Sequence, residues 1–212
     1  SPFYLNEPYA EAPAEFPTES HSTRKRIIDF IGKQVNKIFL NEDLTLNYTS
    51  LTDVILSKYF KDLDVYFTED CTLENAKNCK AKDIINQRLA QVLEKYKKDR
   101  IMLVSHSMGS IIAFEVLNFV VPQFPVDTLV TIGSPLGLPI VISKIAAEQK
   151  EMNADLKVMK TPPSVKRKWH NFSDILDYVA IDYELHDNFQ ENRKGVRPID
   201  YLVNNNYEIN QK

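Results

Sequence analysis

The chain has 212 residues, of which 43% are hydrophobic and 26% charged, and its formal net charge is -3. This length and balance fit one globular α/β domain with a core of its own. Without a basic excess there is no electrostatic case for nucleic acid, and no apolar run is long enough to form a transmembrane segment.

The predicted organisation is a single domain with three consecutive parts. The first part contains four prolines, which exclude a regular helix and favour a surface arm. The second part has apolar residues at helical spacing, with candidate helices at 22–40, 50–60 and 81–98. The three parts are an extended arm over 1–20, a helical segment over 21–98 and a sheet core over 99–212.

The character of the sequence changes after Arg100. Ile101, Met102, Leu103 and Val104 form a short continuous apolar run, which is typical of a strand buried on both faces. Apolar segments of strand and helix type then alternate, which predicts a mostly parallel sheet with helices on both faces. The later elements are a helix at 109–120, a strand at 127–132, a loop at 133–139, a helix at 140–149, a strand at 166–172 and a strand at 196–203. Pro198 confines the last strand to an edge or a bulge.

The segment from Ser105 to Gly109 is the most informative part of the sequence. It joins the predicted buried strand directly to an apolar helix and resembles a G-x-S-x-G nucleophile turn, with Ser105 at the first glycine position. Such a turn puts the central serine, here Ser107, at a sharp bend with its hydroxyl beyond the sheet. Small residues on either side are expected because strand and helix approach closely. The N–H of Met108, at the helix start, can stabilise an oxyanion.

A second loop follows the next predicted strand. It runs from Gly133 to Pro139 and holds two of the five glycines of the chain. Loops at the carboxyl ends of parallel strands are where open α/β sheets gather their sites. On its own, the loop fits an ordinary strand-to-helix turn equally well.

A serine nucleophile of this kind is followed in the chain by an acid and then by a histidine. Asp174 and Asp177 both follow the third strand, where a carboxylate could orient and stabilise the histidine. Of the four histidines, only His186 comes after them. No strand separates His186 from Asp177, so a surface position on a helix is the competing interpretation.

Two cysteines, Cys71 and Cys79, lie in a polar stretch and are too few for a zinc site. We favour free thiols and a cytoplasmic compartment over a local disulfide in an exported protein. Serine triad chemistry needs no metal and no organic cofactor, and the sequence indicates neither.

Three motifs together resemble the lipase- and esterase-like members of the α/β-hydrolase superfamily, with general similarity to poorly characterised bacterial hydrolases. They are Ser105–Ser110, Thr131–Gly137 and Trp169–Val179. The resemblance implies hydrolysis of a small-molecule or lipid ester through an acyl-serine intermediate. It also implies that Asp177 is the acid.

Two features of the family are missing from the sequence. No His-Gly loop that would supply a second oxyanion donor precedes residue 100, and no histidine follows the last strand. We therefore expect a partial chain whose catalytic histidine lies beyond Lys212. The alternatives are an inactive binding or scaffold protein on the same fold, an acyltransferase or thioesterase, or a site that uses His186.

Overall fold

The computed structural model describes residues 61–68, 80–152, 158–174 and 184–203. The predicted arm, the candidate helices at 22–40 and 50–60, both cysteines, His21 and Asp177 lie outside these residues. The described helices are α1 (Lys61–Thr68), α2 (Ala81–Lys95), α3 (Met108–Glu115), α4 (Pro139–Met152) and α5 (Leu185–Asn188). The strands are β1 (Met102–His106), β2 (Val126–Ile132), β3 (Met159–Lys160), β4 (Val165–Asp174), β5 (Phe189–Gln190) and β6 (Pro198–Val203).

Four of the strands form one parallel sheet in the order β1-β2-β4-β6. The register aligns His106 with Ile132, Ile132 with Phe172, and Phe172 with Tyr201. All four strands therefore end at the same edge of the sheet, and the turn that follows β1 begins at that edge. This confirms the predicted mostly parallel α/β sheet.

Most predicted elements of the sheet core are present, with bounds shifted by one to three residues. The expected helix at 109–120 is α3 followed by one π-helical turn, Val116–Val120. Pro198 is the first residue of β6, and β6 is an edge strand, as the proline requires. The small second sheet of β3 and β5 was not predicted, because strands of two residues leave no periodic pattern.

The core lies on the face of the sheet that carries Leu129 and Trp169, both fully buried. The ring of Trp169 lies 5.9 Å from that of Phe114 on α3 and 5.2 Å from that of Phe189 on β5. Its indole N–H donates to Thr131 Oγ1 at 3.0 Å. The polar edge of the largest core side chain is therefore satisfied inside the sheet, as a buried indole requires.

The opposite face of the sheet carries apolar side chains that remain exposed. Met102 is 65% exposed, Val104 51% and Ile199 45%. The prediction that the strand at 101–104 is buried on both faces is therefore wrong, because β1 is an edge strand with one exposed face. Parallel sheets normally have both faces covered, and the side chains of α3 and β5 that contact Trp169 lie on the other face. Within the described ranges, no helix is both long enough and apolar enough to cross a bilayer.

Candidate active site

The turn after β1 has the sharp bend that the sequence predicts at Ser107. Ser107 has φ 50° and ψ −130°, and it is the one described residue other than glycine with positive φ. An L-residue in such a conformation costs about 1–3 kcal/mol, which the surrounding structure must supply. The N–H of Ser107 donates to Ile132 O at 2.9 Å, and the residue itself is half-buried.

Two buried hydroxyl groups hold the bend in place. Ser107 O accepts from the N–H of Ser110 at 2.9 Å and from Ser110 Oγ at 2.6 Å. Ser110 Oγ also lies 2.7 Å from Ser134 Oγ, which accepts from the N–H of Leu136 at 3.2 Å. Because the one hydroxyl hydrogen of Ser110 goes to Ser107 O, Ser134 is the donor between the two serines. The chain of hydrogen bonds ties the turn at Ser107 to the loop after β2.

We expect Ser134→Ala to lower the free energy of unfolding by about 1–2 kcal/mol, since it leaves the buried N–H of Leu136 without an acceptor. It should also slow any reaction of the Ser107 hydroxyl, because the turn loses its hydrogen-bonded link to the loop after β2. Denaturant unfolding and the rate of serine modification measure both effects. Ser143→Ala, on α4, is the control and should change neither, so equal effects of the two substitutions would contradict the role of Ser134.

The expected tight packing around the turn is only partly present. Ser105 is buried and its hydroxyl donates to Val130 O at 3.2 Å. A Cβ added to Gly109, however, meets no heavy atom within 4 Å. The expectation that a close approach of strand and helix requires a small residue at Gly109 is therefore wrong for the described residues. Gly133, in the loop after β2, has a positive φ of 53°, a conformation that favours glycine at that position.

Met108 is the first residue of α3, directly after the bend. The first N–H groups of a helix have no acceptor within the helix and lie at its positive end. The N–H of Met108 is therefore suited to bind an oxyanion that forms on a substrate attacked by Ser107.

The acid candidates belong to the end of β4. Asp174 is the last residue of that strand. The register puts it one residue beyond the level of Ser107 and two strands across, about 10 Å away in the sheet. Asp177 lies outside the described residues.

The described histidines lie at three different places. His106 ends β1 and is exposed, next to Ser107 in the chain. His170 has Nδ1 3.0 Å from the hydroxyl of Tyr201 on the exposed face of the sheet. It is level with Val104, about 10 Å along the strands from Ser107.

His186 lies on α5, is exposed, and has Nδ1 3.0 Å from Pro198 O. Pro198 is level with Leu103. This level lies about 13 Å back along the strands from Ser107 and about 14 Å across the sheet. The structure therefore does not bring His186 together with Ser107, and it has the helical surface position that was the competing interpretation.

A buried polar cluster lies at the other end of α3. Glu115 is fully buried and accepts from the hydroxyl of Tyr66 at 2.5 Å, from Lys82 Nζ at 2.9 Å and from Asn86 Nδ2 at 3.3 Å. Lys82 also forms an ion pair with Glu148 on α4. The cluster links α1, α2 and α4 to α3, the helix that directly follows Ser107.

Burial raises the pKa of two groups of this cluster, Glu115 and Tyr66. Desolvation raises the pKa of Glu115, although the charge of Lys82 acts against the rise. Burial next to Glu115 raises the pKa of the Tyr66 phenol far above its ordinary range. The sequence carried no signal for this cluster, because a lone Glu and a lone Lys on separate helices look like surface residues.

Comparison with known proteins gives one result. The model of a family described as the PGAP1-like alpha/beta domain matches residues 25–203, which include the turn at Ser107, the loop after β2 and all four strands of the main sheet. No curated protein and no solved structure matches the chain.

Proposed function

Because the chain belongs to the PGAP1-like alpha/beta domain family, which has an α/β-hydrolase fold, we propose that it is a serine hydrolase of carboxylic esters. The observation that carries the proposal is the backbone of Ser107. A strained, half-buried serine between a parallel strand and a helix start is the arrangement that an attacking serine needs. A serine in a purely structural turn would have no reason to keep a conformation that glycine adopts without cost.

In the proposed mechanism Ser107 Oγ attacks the ester carbonyl carbon, and the N–H of Met108 stabilises the oxyanion that forms. A histidine removes the hydroxyl proton and then donates it to the leaving alcohol. Water releases the acyl group from Ser107 in a second, equivalent step. Asp177 holds the histidine in the required tautomer.

A panel of p-nitrophenyl esters with acyl chains of increasing length tests this function in the full-length protein. We expect release of p-nitrophenol with a preference for one chain length, because the acyl group must fit beside the turn at Ser107. Ser143→Ala should retain the activity. If no ester in the panel is turned over faster by the protein than by buffer, ester hydrolysis is excluded. A panel of thioesters, with alcohols as acceptors, would then test the thioesterase and acyltransferase alternatives.

One observation favours a second candidate, a binding or scaffold protein on the same fold. Among the described residues, neither His170 nor His186 lies at the edge of the sheet where Ser107 lies. Fold alone does not determine activity. A protein of this kind would retain the strained turn and yet show no reaction of the Ser107 hydroxyl.

A further inference from the structure

A cavity of about 580 Å³ lies at the opposite end of the sheet from Ser107. Its walls come from the π-helical turn after α3, from α4, from β3, from the start of β4 and from the turn between β5 and β6. Lys166, in its wall, is the second residue of β4, whereas Ser107 follows the last residue of β1. The cavity is therefore separate from the candidate active site.

A buried amide without a partner forms part of the wall. Gln149 is 8% exposed, and its Oε1 has no hydrogen-bond partner. Within the described part of the chain its carboxamide makes no hydrogen bond at all. A buried polar group of this kind costs free energy unless something satisfies it. The cavity that Gln149 lines has room for water or a ligand, and an occupant that reaches this side chain would satisfy the amide oxygen.

The rim of the cavity is strongly basic. Lys160, Lys166, Arg193 and Lys194 line it, against the one carboxylate of Glu191. Lys160, Arg193 and Lys194 form no ion pair with any residue that the structure describes. The chain as a whole is acidic, with net charge -3. This local excess of positive charge around a recess attracts anions and concentrates them there.

We propose that this cavity is a binding site for a phosphate monoester that carries a neighbouring hydroxyl group. A monoester dianion offers three acceptor oxygens to several cations at once, whereas one carboxylate is satisfied by a single guanidinium. The hydroxyl reaches the Gln149 amide, and the phosphate stays among the lysines and Arg193 at the rim. Binding at this site does not depend on the reaction proposed at Ser107.

Isothermal titration of the full-length protein with sn-glycerol 3-phosphate, inorganic phosphate and glycerol tests the proposal. We expect saturable binding of glycerol phosphate, weaker binding of phosphate and no binding of glycerol. The double substitution Lys160→Gln and Lys194→Gln, at two exposed positions, should weaken binding of both phosphates by about fivefold or more. Gln149→Leu should weaken the binding of glycerol phosphate by about fivefold and leave the binding of inorganic phosphate unchanged.

The matched control is the double substitution Arg88→Gln and Lys98→Gln on the exposed surface around α2, which removes the same charge elsewhere and should leave binding unchanged. Absence of saturable binding would overturn the proposal. It would also be overturned if the control variant weakened binding equally, or if glycerol bound as tightly as glycerol phosphate. Circular dichroism and thermal unfolding of each variant separate lost binding from lost folding.

The ligand has two possible sources, a free metabolite or a lipid headgroup. Cosedimentation with phosphatidylcholine vesicles that contain phosphatidic acid distinguishes them. If the protein sediments with the vesicles and added glycerol phosphate prevents this, the ligand is a lipid headgroup. If the protein binds glycerol phosphate but does not sediment with the vesicles, the ligand is a free metabolite. Both results support the site. Because the Lys160 and Lys194 substitutions leave the turn at Ser107 intact, ester hydrolysis should survive them, so this site and the proposed activity can fail independently.

Discussion

Replacing Ser107 with glycine is expected to abolish ester hydrolysis and at the same time to stabilise the fold by about 1 kcal/mol or more. The nucleophile is lost, so the rate should fall by about three orders of magnitude or more. The residual rate is the one that substrate binding and the oxyanion N–H alone can sustain. The stability should rise because glycine adopts φ 50° without the clash that a Cβ causes. Hydrolysis of p-nitrophenyl esters and denaturant unfolding measure the two effects.

Ser107→Ala is the matched control for this prediction. It should lose the activity to the same degree but show no comparable stabilisation, because alanine keeps the Cβ and its strain. If glycine were destabilising while alanine were neutral, the bend at Ser107 would not be strained. If either variant kept full activity, Ser107 would not be the nucleophile.

Glu115→Ala is expected to have the largest effect on stability, a loss of about 3–5 kcal/mol. The substitution removes the acceptor of three buried donors, from Tyr66, Lys82 and Asn86, and leaves a cavity on α3. Denaturant unfolding gives the value. As a control, Asp127→Ala breaks the pair with Arg100, whose side chain is 70% exposed, and should change stability little. Equal effects would mean that the Glu115 cluster adds nothing beyond a surface ion pair.

Glu115→Gln separates the charge of this side chain from its packing. Burial raises the pKa of Glu115 in the folded protein above its unfolded value. The folded state therefore binds the proton more tightly, and this carboxyl lowers stability as the pH rises from the unfolded pKa through the folded one. The glutamine variant lacks that dependence. The stability of Glu115→Gln relative to the parent should increase with pH across this window, and a constant difference would contradict the raised pKa.

The turn at Ser107 could be predicted from sequence because its parts are adjacent in the chain. An apolar strand, a small residue, Ser107 and an apolar helix follow one another closely in the chain, and the bend follows from them. The parallel sheet was predictable for a related reason, since its strands are long enough to show an apolar pattern and alternate with helices.

The support for the site was not predictable in the same way. Ser110 and Ser134 are 24 positions apart, and only the folding of β2 beside β1 brings their hydroxyl groups to 2.7 Å. Glu115, Lys82 and Tyr66 meet across three helices, and no spacing along the chain encodes that contact. His186 illustrates the converse case. Its chain order suited a triad, but the pairing of β6 with β4 puts it at the wrong level of the sheet.

Reaction of the full-length protein with a fluorophosphonate probe, followed by tandem mass spectrometry of the labelled peptides, tests the central claim most directly. An activated serine attacks phosphorus and retains the adduct, whereas ordinary hydroxyl groups do not react. We predict one phosphonylated residue, Ser107, with the labelling lost in Ser107→Ala and retained in Ser143→Ala. A folded protein that takes up no probe, or takes it up at another residue, would contradict the assignment of Ser107 as a nucleophile.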